Sequence, residues 1–214
     1  SNTQTDIPSN STDALYYSRD SSNNVGYEPN EISADSLTKN FGDSLVFTVR
    51  NNTGVNISYN ITGVNVDDLI GDPYSGNLSY GAIHTLSYTV KTVVKTITFT
   101  SGSTSLDVTV QDVDAAYKQS FAVQNNIYGD PVFAVYDVSD QAWYNQTDLS
   151  FSPPNVYVFD LSSSLVNGGY TLVFGSTVND MSTLVPDSRI YRKTAENRII
   201  LDLNGYSGSV TYFE

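Results

Sequence analysis

The sequence predicts an all-β protein, in which two antiparallel β-sandwich domains follow an irregular N-terminal arm. Three observations support this fold class. Apolar and polar residues alternate along short segments, as they do in strands that bury one face. Gly, Pro and Asn separate these segments at short intervals, as turns between antiparallel strands require. No segment of helical length repeats its apolar residues with the period of an α-helix.

The alternation also predicts which side chains form the first core. Because successive side chains of a strand point to opposite faces, residues two apart share a face. The inward-facing residues predicted in this way are Leu45, Phe47 and Val49, then Ile57, Tyr59 and Ile61, and finally Leu106, Val108 and Val110.

Changes in composition set the domain boundaries. Residues 1–36 form the predicted arm, residues 37–114 the first sandwich and residues 118–214 the second. The connector lies between Asp112 and Lys118, and a second series of strand-like segments follows it. These segments are PVFAVYDV, NVYVFDL, GYTLVFG, RIYR, RIILDL and SVTYF.

The arm is rich in Ser, Asn, Asp and Thr and shows no sustained period. Such a segment buries too little apolar area to offset the entropy of ordering it alone. It is therefore either a disordered tail or an arm that orders on a neighbouring subunit. In the second case its anchors are Leu15, Tyr16, Tyr17 and Tyr27.

The charge of the chain excludes several classes of partner. Ten Lys and Arg stand against 23 Asp and Glu, which gives a formal net charge of −13 at pH 7. A chain this acidic repels phosphate groups, so we expect no nucleic-acid partner. No apolar run approaches the roughly 18 residues that a membrane helix needs, so we expect no membrane insertion. The absence of Cys excludes disulfides and thiolate metal sites.

The first sandwich resembles the Ig-like or Calx-β-like repeats of large surface and virion proteins. The resemblance rests on GDSLVFTVRN, on YNITGVNVDDLIGDPYSGNLS and on ITFTSGSTSLDVTVQD, in that order. It covers the chain from Gly42 to Asp112 and implies an Ig-like sandwich.

The second sandwich is similar to a cupredoxin-like module found in virion proteins of marine phages and large algal viruses. The segments that carry this similarity are YVFDLSSSLVNGGYTLVFGSTVND and RIILDLNGYSGSVTYFE. Tyr170 stands where relatives often have His, and KTAENR replaces a Gly-Thr-Pro-Gly turn. The residues that match the pattern are Phe159, Asp160, Ser162, Asn167, Gly169, Leu172 and Phe174. By analogy, the similarity implies a structural role in a virus particle.

The ligand inventory excludes a cupredoxin copper site. Type 1 copper needs two imidazoles and a thiolate, whereas this chain has no Cys and one His. We interpret that residue, His84, as a turn or edge-strand His bonded to the backbone. No nucleophile elbow or phosphate-binding loop is present, and the turn carboxylates are typical of backbone capping. We therefore expect no enzymatic activity and no cofactor.

Calcium is the one metal that the sequence leaves open. Asp67, Asp68 and Asp72 crowd one corner, and Asp112 and Asp114 lie at the junction of the domains. Carboxylate oxygens are ligands that Ca²⁺ prefers, and an ion at such a place would stiffen the junction. The alternative is ordinary solvation of a turn and a linker by the same residues.

Three functional hypotheses remain, and all are non-catalytic. The first is a structural protein of a virus particle that binds other structural subunits as a decoration, vertex, fibre-attached or tail-associated component. The second is a cell-surface adhesin or carbohydrate-binding module, whose sugar or receptor contacts would be Tyr128, Trp143 and Tyr144. The third is a subunit of an extracellular filament or surface layer. The expected location is the virion, or alternatively the cell surface.

Overall fold

The computed structural model describes residues 17–19, 25–27, 30–125, 131–137, 140–145, 149–161, 172–178 and 180–213. The chain divides into two compact units, Ser1–Asp112 and Val113–Glu214. Among the described residues, strands dominate and the only helices are single 3-10 turns, which confirms the predicted all-β class. None of these turns is long and apolar enough to span a membrane. They are Ala115–Tyr117, Met181–Thr183, Asp187–Arg189 and Thr194–Glu196.

Two sheets build the body of the first unit. One has the strand order β3-β5-β9-β7 and the other the order β4-β11-β10-β6-β8. All neighbours are antiparallel except β4 and β11, which run parallel. The strands of the first unit are β1 (Tyr17–Arg19), β2 (Val25–Tyr27), β3 (Glu31–Ala34), β4 (Thr38–Lys39), β5 (Ser44–Arg50), β6 (Ile57–Thr62), β7 (Leu69–Gly71), β8 (Ser75–Leu78), β9 (Ile83–Val90), β10 (Lys95–Ser101) and β11 (Thr104–Val110).

This strand order is that of an immunoglobulin-type sandwich. In sheet order, β3, β5, β9 and β7 correspond to strands A, B, E and D of such a sandwich, and β11, β10 and β6 correspond to G, F and C. The edge strand β8 extends the second sheet beside β6. The Ig-like topology that the resemblance implied is therefore present in this unit.

Aromatic side chains join the two sheets. Phe47 of β5 and Phe99 of β10 are fully buried, and their ring centroids lie 4.7 Å apart. Tyr59 of β6 stacks on Phe99 at 5.4 Å. The inward faces predicted for β5, β6 and β11 are confirmed, with Ile57 and Leu106 half-buried at the margin of the same cluster. Because buried aromatic rings contribute a large apolar area, this cluster stabilises the contact between the two sheets.

A tyrosine-lined corner carries the chain from one sheet to the other between β7 and β8. The hydroxyl groups of Tyr59 and Tyr88 both donate to the backbone oxygen of Pro73, at 3.0 and 2.8 Å. Burial, together with the nearby Tyr59 and Asp72, raises the pKa of Tyr88. A side chain at Gly71 would collide with the backbone oxygen of Ser87, so the corner requires glycine there. The corner is therefore fixed by contacts to the backbone oxygens of Pro73 and Ser87.

An ion pair between the buried Lys39 and the exposed Asp35 holds the place where the first strand changes sheets, between β3 and β4. The Lys39 Nζ donates to Asp35 Oδ2 at 2.7 Å and to the Ser44 oxygen at 2.6 Å. Asp35 Oδ1 also accepts from the Val46 N–H at 3.0 Å. Burial would raise the pKa of Asp35, but the hydrogen bonds from Lys39, Val46 and Ser36 and the Lys39 charge outweigh it, so the pKa is lowered.

The second unit combines a large mixed sheet with a small one. The large sheet has the order β14-β13-β12-β15-β18-β17, in which β12 and β15 are parallel, and the small sheet pairs β16 with β19. Phe121 and Phe159 of the large sheet pack on Tyr212 and Phe174 of the small one, at 4.8 and 4.9 Å. The strands are β12 (Lys118–Asn125), β13 (Pro131–Asp137), β14 (Ala142–Asn145), β15 (Val156–Asp160), β16 (Val173–Gly175), β17 (Ile190–Lys193), β18 (Arg198–Asp202) and β19 (Thr211–Phe213).

The cupredoxin-like identity of this unit stays a prediction, because residues 162–171 lie outside the described ranges. That segment holds Ser162, Asn167 and Gly169 of the proposed pattern. Of the others, Phe159, Leu172 and Phe174 are core residues and Asp160 is exposed.

The structure differs from the sequence prediction in the N-terminal region and at His84. Residues 31–34 of the expected arm (1–36) form β3, which pairs with β5 and belongs to the first sandwich. Residues 17–19 and 25–27 pair as β1 and β2 instead of being irregular. His84 lies inside β9 and not in a turn before it, and its Nε2 lies 3.1 Å from the Ser79 oxygen. The interpretation of His84 as a backbone-bonded residue agrees with this contact.

Substitution of Asp35 by Asn should lower the free energy of unfolding at pH 7, because Lys39 would keep a buried charge without its partner. A carboxyl group with a lowered folded pKa contributes stability above its ordinary pKa of 3.8, and this stability is lost as the pH falls through the folded value. The difference between the wild type and Asp35→Asn should therefore shrink on acidification below about pH 4. Denaturant unfolding from pH 7 to pH 2.5 measures it.

Asp107→Asn is the matched control for this experiment. Asp107 Oδ1 accepts from the Thr98 hydroxyl at 2.7 Å, and an Asn oxygen can accept the same bond. A stability difference for Asp35→Asn that does not depend on pH would contradict the stabilising role of the ion pair.

Candidate functional site

Several loops converge at one end of the first unit. The loops β5–β6, β8–β9 and β10–β11 and the chain entering β3 all lie there, as the antiparallel registers require. We call this region, residues 30, 51–56, 79–83 and 102–103, the loop end. Loops at the ends of sandwich folds commonly carry binding residues, because the sheets hold them in place.

Asn51 joins two of these loops. Its side chain is fully buried, and its Nδ2 donates to the backbone oxygens of Val55 and Leu78 at 2.8 and 3.0 Å. Its Oδ1 accepts from the N–H and the hydroxyl of Thr53 at 3.1 and 2.8 Å. Its backbone N–H donates to Ala82, and its backbone oxygen accepts from Gly81. One residue thus fixes the β5–β6 loop against the β8–β9 loop.

Asn30 adds the third loop to the same network. Its Nδ2 donates to the backbone oxygen of Ser101, at 3.1 Å, where β10 ends. Its Oδ1 accepts from the Asn52 N–H at 3.3 Å. A buried amide with donor and acceptor both used favours one arrangement of the loops, since leaving either group unpaired costs about 1–3 kcal/mol.

Two further hydrogen bonds hold the β8–β9 loop on either side of Tyr80. Asn56 Oδ1 accepts from the Tyr80 N–H at 3.1 Å. The contact between His84 Nε2 and the Ser79 oxygen makes Nε2 the donor, because a carbonyl oxygen can only accept. The β8–β9 loop is therefore fixed on both sides of Tyr80.

This rigid framework exposes three apolar side chains. Val55, Tyr80 and Ile83 are 60%, 59% and 57% exposed. Val55 follows the Asn51–Thr53 turn, and Tyr80 and Ile83 flank the two residues that bond to the Asn51 backbone. Arg50 lies opposite Ile83 in the sheet and pairs with Glu31 at 3.5 Å. The loop end thus combines apolar side chains with a charged pair at the rim, a composition typical of protein–protein contacts.

The outer face of the five-stranded sheet has a very different composition. Its outward residues are hydroxyl and amide side chains and one carboxylate, with no apolar residue among them. They are Thr38, Ser58, Asn60, Thr62, Ser75, Asn77, Thr96, Thr98, Thr100, Ser105, Asp107 and Thr109. This face is well solvated, so the loop end is the better candidate for a contact surface.

The structure does not bring the predicted calcium ligands together. The Asp68 side chain is fully buried, and its Oδ2 accepts from the Asn65 N–H at 2.8 Å and lies 3.8 Å from Lys95 Nζ. Asp72 Oδ2 accepts from the Ser87 N–H at 2.7 Å. Within the described ranges, which include Asp67, Asp112 and Asp114, no group of three or more metal-ligating side chains occurs. Calcium binding stays a hypothesis without structural support.

The other predicted contact residues are only partly described. Leu15, Tyr16 and Tyr128 lie outside the described residues. Tyr17 and Tyr27 are paired positions in the backbone register of β1 and β2, and Tyr144 belongs to β14. Trp143 is half-buried, with its ring centroid 5.2 Å from that of Tyr136. An aromatic platform for sugars at these positions stays a prediction.

The sequence prediction missed the residues of the loop end. Asn51 and Asn30 resemble ordinary turn residues in the sequence, and Val55, Tyr80 and Ile83 lie in three separate places. The signal that could have found them is the position of Tyr80 and Ile83 beside a Gly turn, where exposed apolar residues are unusual.

Comparison with known protein families finds no matching family model, and comparison with curated proteins finds no match. Among solved structures, WR4, a C. elegans MSP family member, is 10% identical with a TM-score of 0.31, over 38% of this chain and 97% of WR4. The collagen adhesin CNA from S. aureus is 12% identical with a TM-score of 0.33, over 86% of this chain and 78% of that one.

A chain from a chaperone–tip adhesin complex of CFA/I fimbriae biogenesis is also 12% identical, with a TM-score of 0.32, over 85% of this chain and 87% of that one. At these low TM-scores, none of the likenesses carries an argument about what this chain binds.

Substitution of Asn51 by Asp should destabilise the first unit strongly. The change is isosteric, but it replaces the Nδ2 donor with an acceptor that faces the oxygens of Val55 and Leu78. Two lost bonds and a buried charge should cost about 3 kcal/mol or more of the free energy of unfolding, measured by urea denaturation.

Asn56→Asp provides the control, because it makes the same chemical change in the same loop. Asn56 uses its Oδ1 as an acceptor for Tyr80, and a carboxylate keeps that bond. We expect an effect within about 0.5 kcal/mol. Equal effects of the two substitutions would show that the Asn51 donor does not hold the loops.

Removal of calcium should leave thermal stability unchanged. The Asp68 and Asp72 carboxylates already accept bonds from the backbone, so no structural role for an ion at that corner is expected. A thermal melt with excess chelator against one with added CaCl₂ measures this. A lower midpoint in chelator would restore the calcium hypothesis.

Proposed function

We propose that this chain is a non-catalytic binding subunit of an extracellular or surface assembly, and that its loop end holds a neighbouring protein. The observation that carries the proposal is the exposure of Val55, Tyr80 and Ile83 on loops that Asn51 and Asn30 fix from within. Apolar side chains in water are a cost to the free chain, and covering them on binding recovers that cost.

Rigidity makes these side chains suitable for binding. A loop that is already fixed loses little conformational entropy when a partner binds, so more of the contact energy becomes affinity. Tyrosine is among the residues that dominate binding energy at protein interfaces. Tyr80, bonded through its backbone to Asn56, is therefore the expected centre of the contact.

The chemistry of the surface favours a protein partner over a sugar. Two of its three apolar side chains are aliphatic, and aliphatic side chains pack on apolar protein surfaces and do not provide a flat ring for a sugar to stack on. His84 is the single His of the sequence, and its Nε2 forms a hydrogen bond with the backbone oxygen of Ser79. Its imidazole therefore helps to hold the β8–β9 loop. These features support a binding role without catalysis.

The finer assignment to a virus particle rests on the resemblance of the sequence to virion modules. It is the narrower form of the same proposal, in which the neighbour is another structural subunit of the particle. An adhesin or surface-layer subunit is the broader form, and the loop end serves either.

A photo-crosslinking residue at position 80 should capture a neighbouring protein in the native assembly. Tyr80 is replaced by benzoylphenylalanine in the producing cells, because this aromatic residue preserves the apolar character of the site. We expect covalent adducts after irradiation, resolved by gel electrophoresis and identified by mass spectrometry.

The matched position is Thr98, which lies on the polar outer face of the five-stranded sheet. The same residue placed there should give few adducts. Adducts that are as abundant at position 98 as at position 80 would contradict the proposal, and so would the absence of adducts at position 80.

A further inference from the structure

Four copies of the acceptor motif for N-linked glycosylation, Asn-x-Ser/Thr, lie in the described part of the first unit. Their asparagines are Asn51, Asn56, Asn60 and Asn77. The motif recurs by chance in a chain this rich in Asn, Ser and Thr, so the sequence alone does not select among the four. The structure does select, because a glycosylated side chain must be exposed and its Nδ2 must be free of other bonds.

The buried network of the loop end excludes Asn51. Its side chain is fully buried, and its Nδ2 already donates to the backbone oxygens of Val55 and Leu78. A sugar in place of one Nδ2 proton would break one of these bonds and would have no space beside the other. Asn51 is therefore an internal control, with an intact motif in a closed position.

Asn60 and Asn77 meet both requirements. Asn60 lies in β6 and Asn77 in the neighbouring β8, and both are exposed on the outer face of the five-stranded sheet. Neither side-chain amide has a hydrogen-bond partner among the described residues. Alternate residues of a strand share a face, so Thr62, the hydroxyl residue of the first motif, is exposed beside Asn60. Ser79, the hydroxyl residue of the second motif, is exposed as well.

Asn56 is also exposed, but it belongs to the loop end. Its Oδ1 accepts from the Tyr80 N–H, so a sugar on its Nδ2 would lie next to the exposed Tyr80 side chain. The proposed contact between the loop end and a neighbouring protein therefore requires an unmodified Asn56.

We propose that Asn60 and Asn77 carry N-linked oligosaccharides, which makes the outer face of the five-stranded sheet a glycosylated surface. The inference goes beyond the proposed function and does not depend on it. The co-substrate is an oligosaccharide that is joined to a lipid through a diphosphate, and a transferase catalyses the step. The Asn Nδ2 forms a bond to the anomeric carbon, and the bond from that carbon to the diphosphate oxygen breaks. Nδ2 loses one proton, and the lipid diphosphate leaves.

The surroundings of the two asparagines leave room for sugars. In the register of β6 and β8, Asn60 lies opposite Ser75 and Asn77 lies opposite Ser58. The two asparagines are therefore diagonal neighbours, about 7–8 Å apart, and a small Ser stands across from each of them. The rest of the face carries hydroxyl and amide side chains and one carboxylate, and these groups form hydrogen bonds with sugars as they do with water.

A glycan at Asn77 would also protect an open sheet edge. Among the described strands, β8 pairs with β6 on one side and with none on the other. Charged residues, prolines and bulges usually keep such edges from pairing with another chain. The residues Ser75–Leu78 include no charge and no Pro, and their register with β6 is continuous. A bulky hydrophilic group on this strand would prevent another chain from adding a strand there.

Glycopeptide mapping of the protein isolated from its producing cells tests the proposal. The protein is digested, and the peptides are fragmented by electron transfer, which leaves a glycan attached to its residue. Asn60 and Asn77 should carry added sugar mass, whereas Asn51 should have the mass of unmodified Asn.

Two variants remove the hydroxyl of one motif each and keep the Asn. Thr62→Ala should lose the glycan at Asn60 and keep the one at Asn77, and Ser79→Ala should do the reverse. Thr62→Ser is the matched control, because it keeps a hydroxyl at that position, and it should retain both glycans. Thr62 and Ser79 are exposed, so thermal melts should show that all three variants remain folded.

Three results would overturn the proposal: an unmodified residue at Asn60 or Asn77 in the wild type, a glycan at Asn51, or a glycan at Asn60 that survives Thr62→Ala. In the last case the transfer would not use this motif. A glycan at Asn56 would contradict the proposed function of the loop end and would leave this inference standing, so the two can fail separately.

Discussion

The loop end depends on one constraint: backbone carbonyl groups at the ends of the strands need hydrogen-bond donors. Where strands stop, carbonyl groups lose their ladder partners, and a buried carbonyl without a donor is costly. The oxygens of Leu78, at the end of β8, and of Val55 are in this position, and the Asn51 amide bonds both. Once that amide is in place, the loops have little freedom to rearrange. The exposure of Val55 and Tyr80 then follows from the backbone, since the interior at that end is already occupied by Asn51 and Asn30.

The same solution recurs at two other places where the first unit changes direction. Pro73 receives two tyrosine hydroxyls at the corner between β7 and β8, and Ser44 receives the Lys39 ammonium where β3 passes into β4. In each case a side chain from the core or its margin satisfies a carbonyl that the sheets leave unpaired. Cys is absent from the sequence, so the corners depend on such polar contacts and the interior on aromatic packing.

The sequence allowed the core residues of the first sandwich to be predicted, but not its first strand or its loop end. Period-two alternation identified Phe47 and Tyr59 as core residues, because burial of one sheet face forces that pattern. It did not identify β3, whose two inward side chains, Ile32 and Ala34, are too few to form a pattern among Ser and Asp. The loop end was beyond reach for a different reason. Its residues meet only after three separate loops are brought together by strand register, and Asn51 looks like any turn residue until that register is known.

The directions of the pKa shifts show how polar contacts act on the ionisable side chains of the described residues. Hydrogen bonds lower the pKa of Asp35 and Asp180, and burial raises the pKa of Tyr59, Tyr74 and Tyr88. Each group is thereby held in its ordinary protonation state at neutral pH. Contacts that fix a protonation state also fix a conformation, and here they fix the crossing at Asp35, the corner at Pro73 and the turn at Asp180.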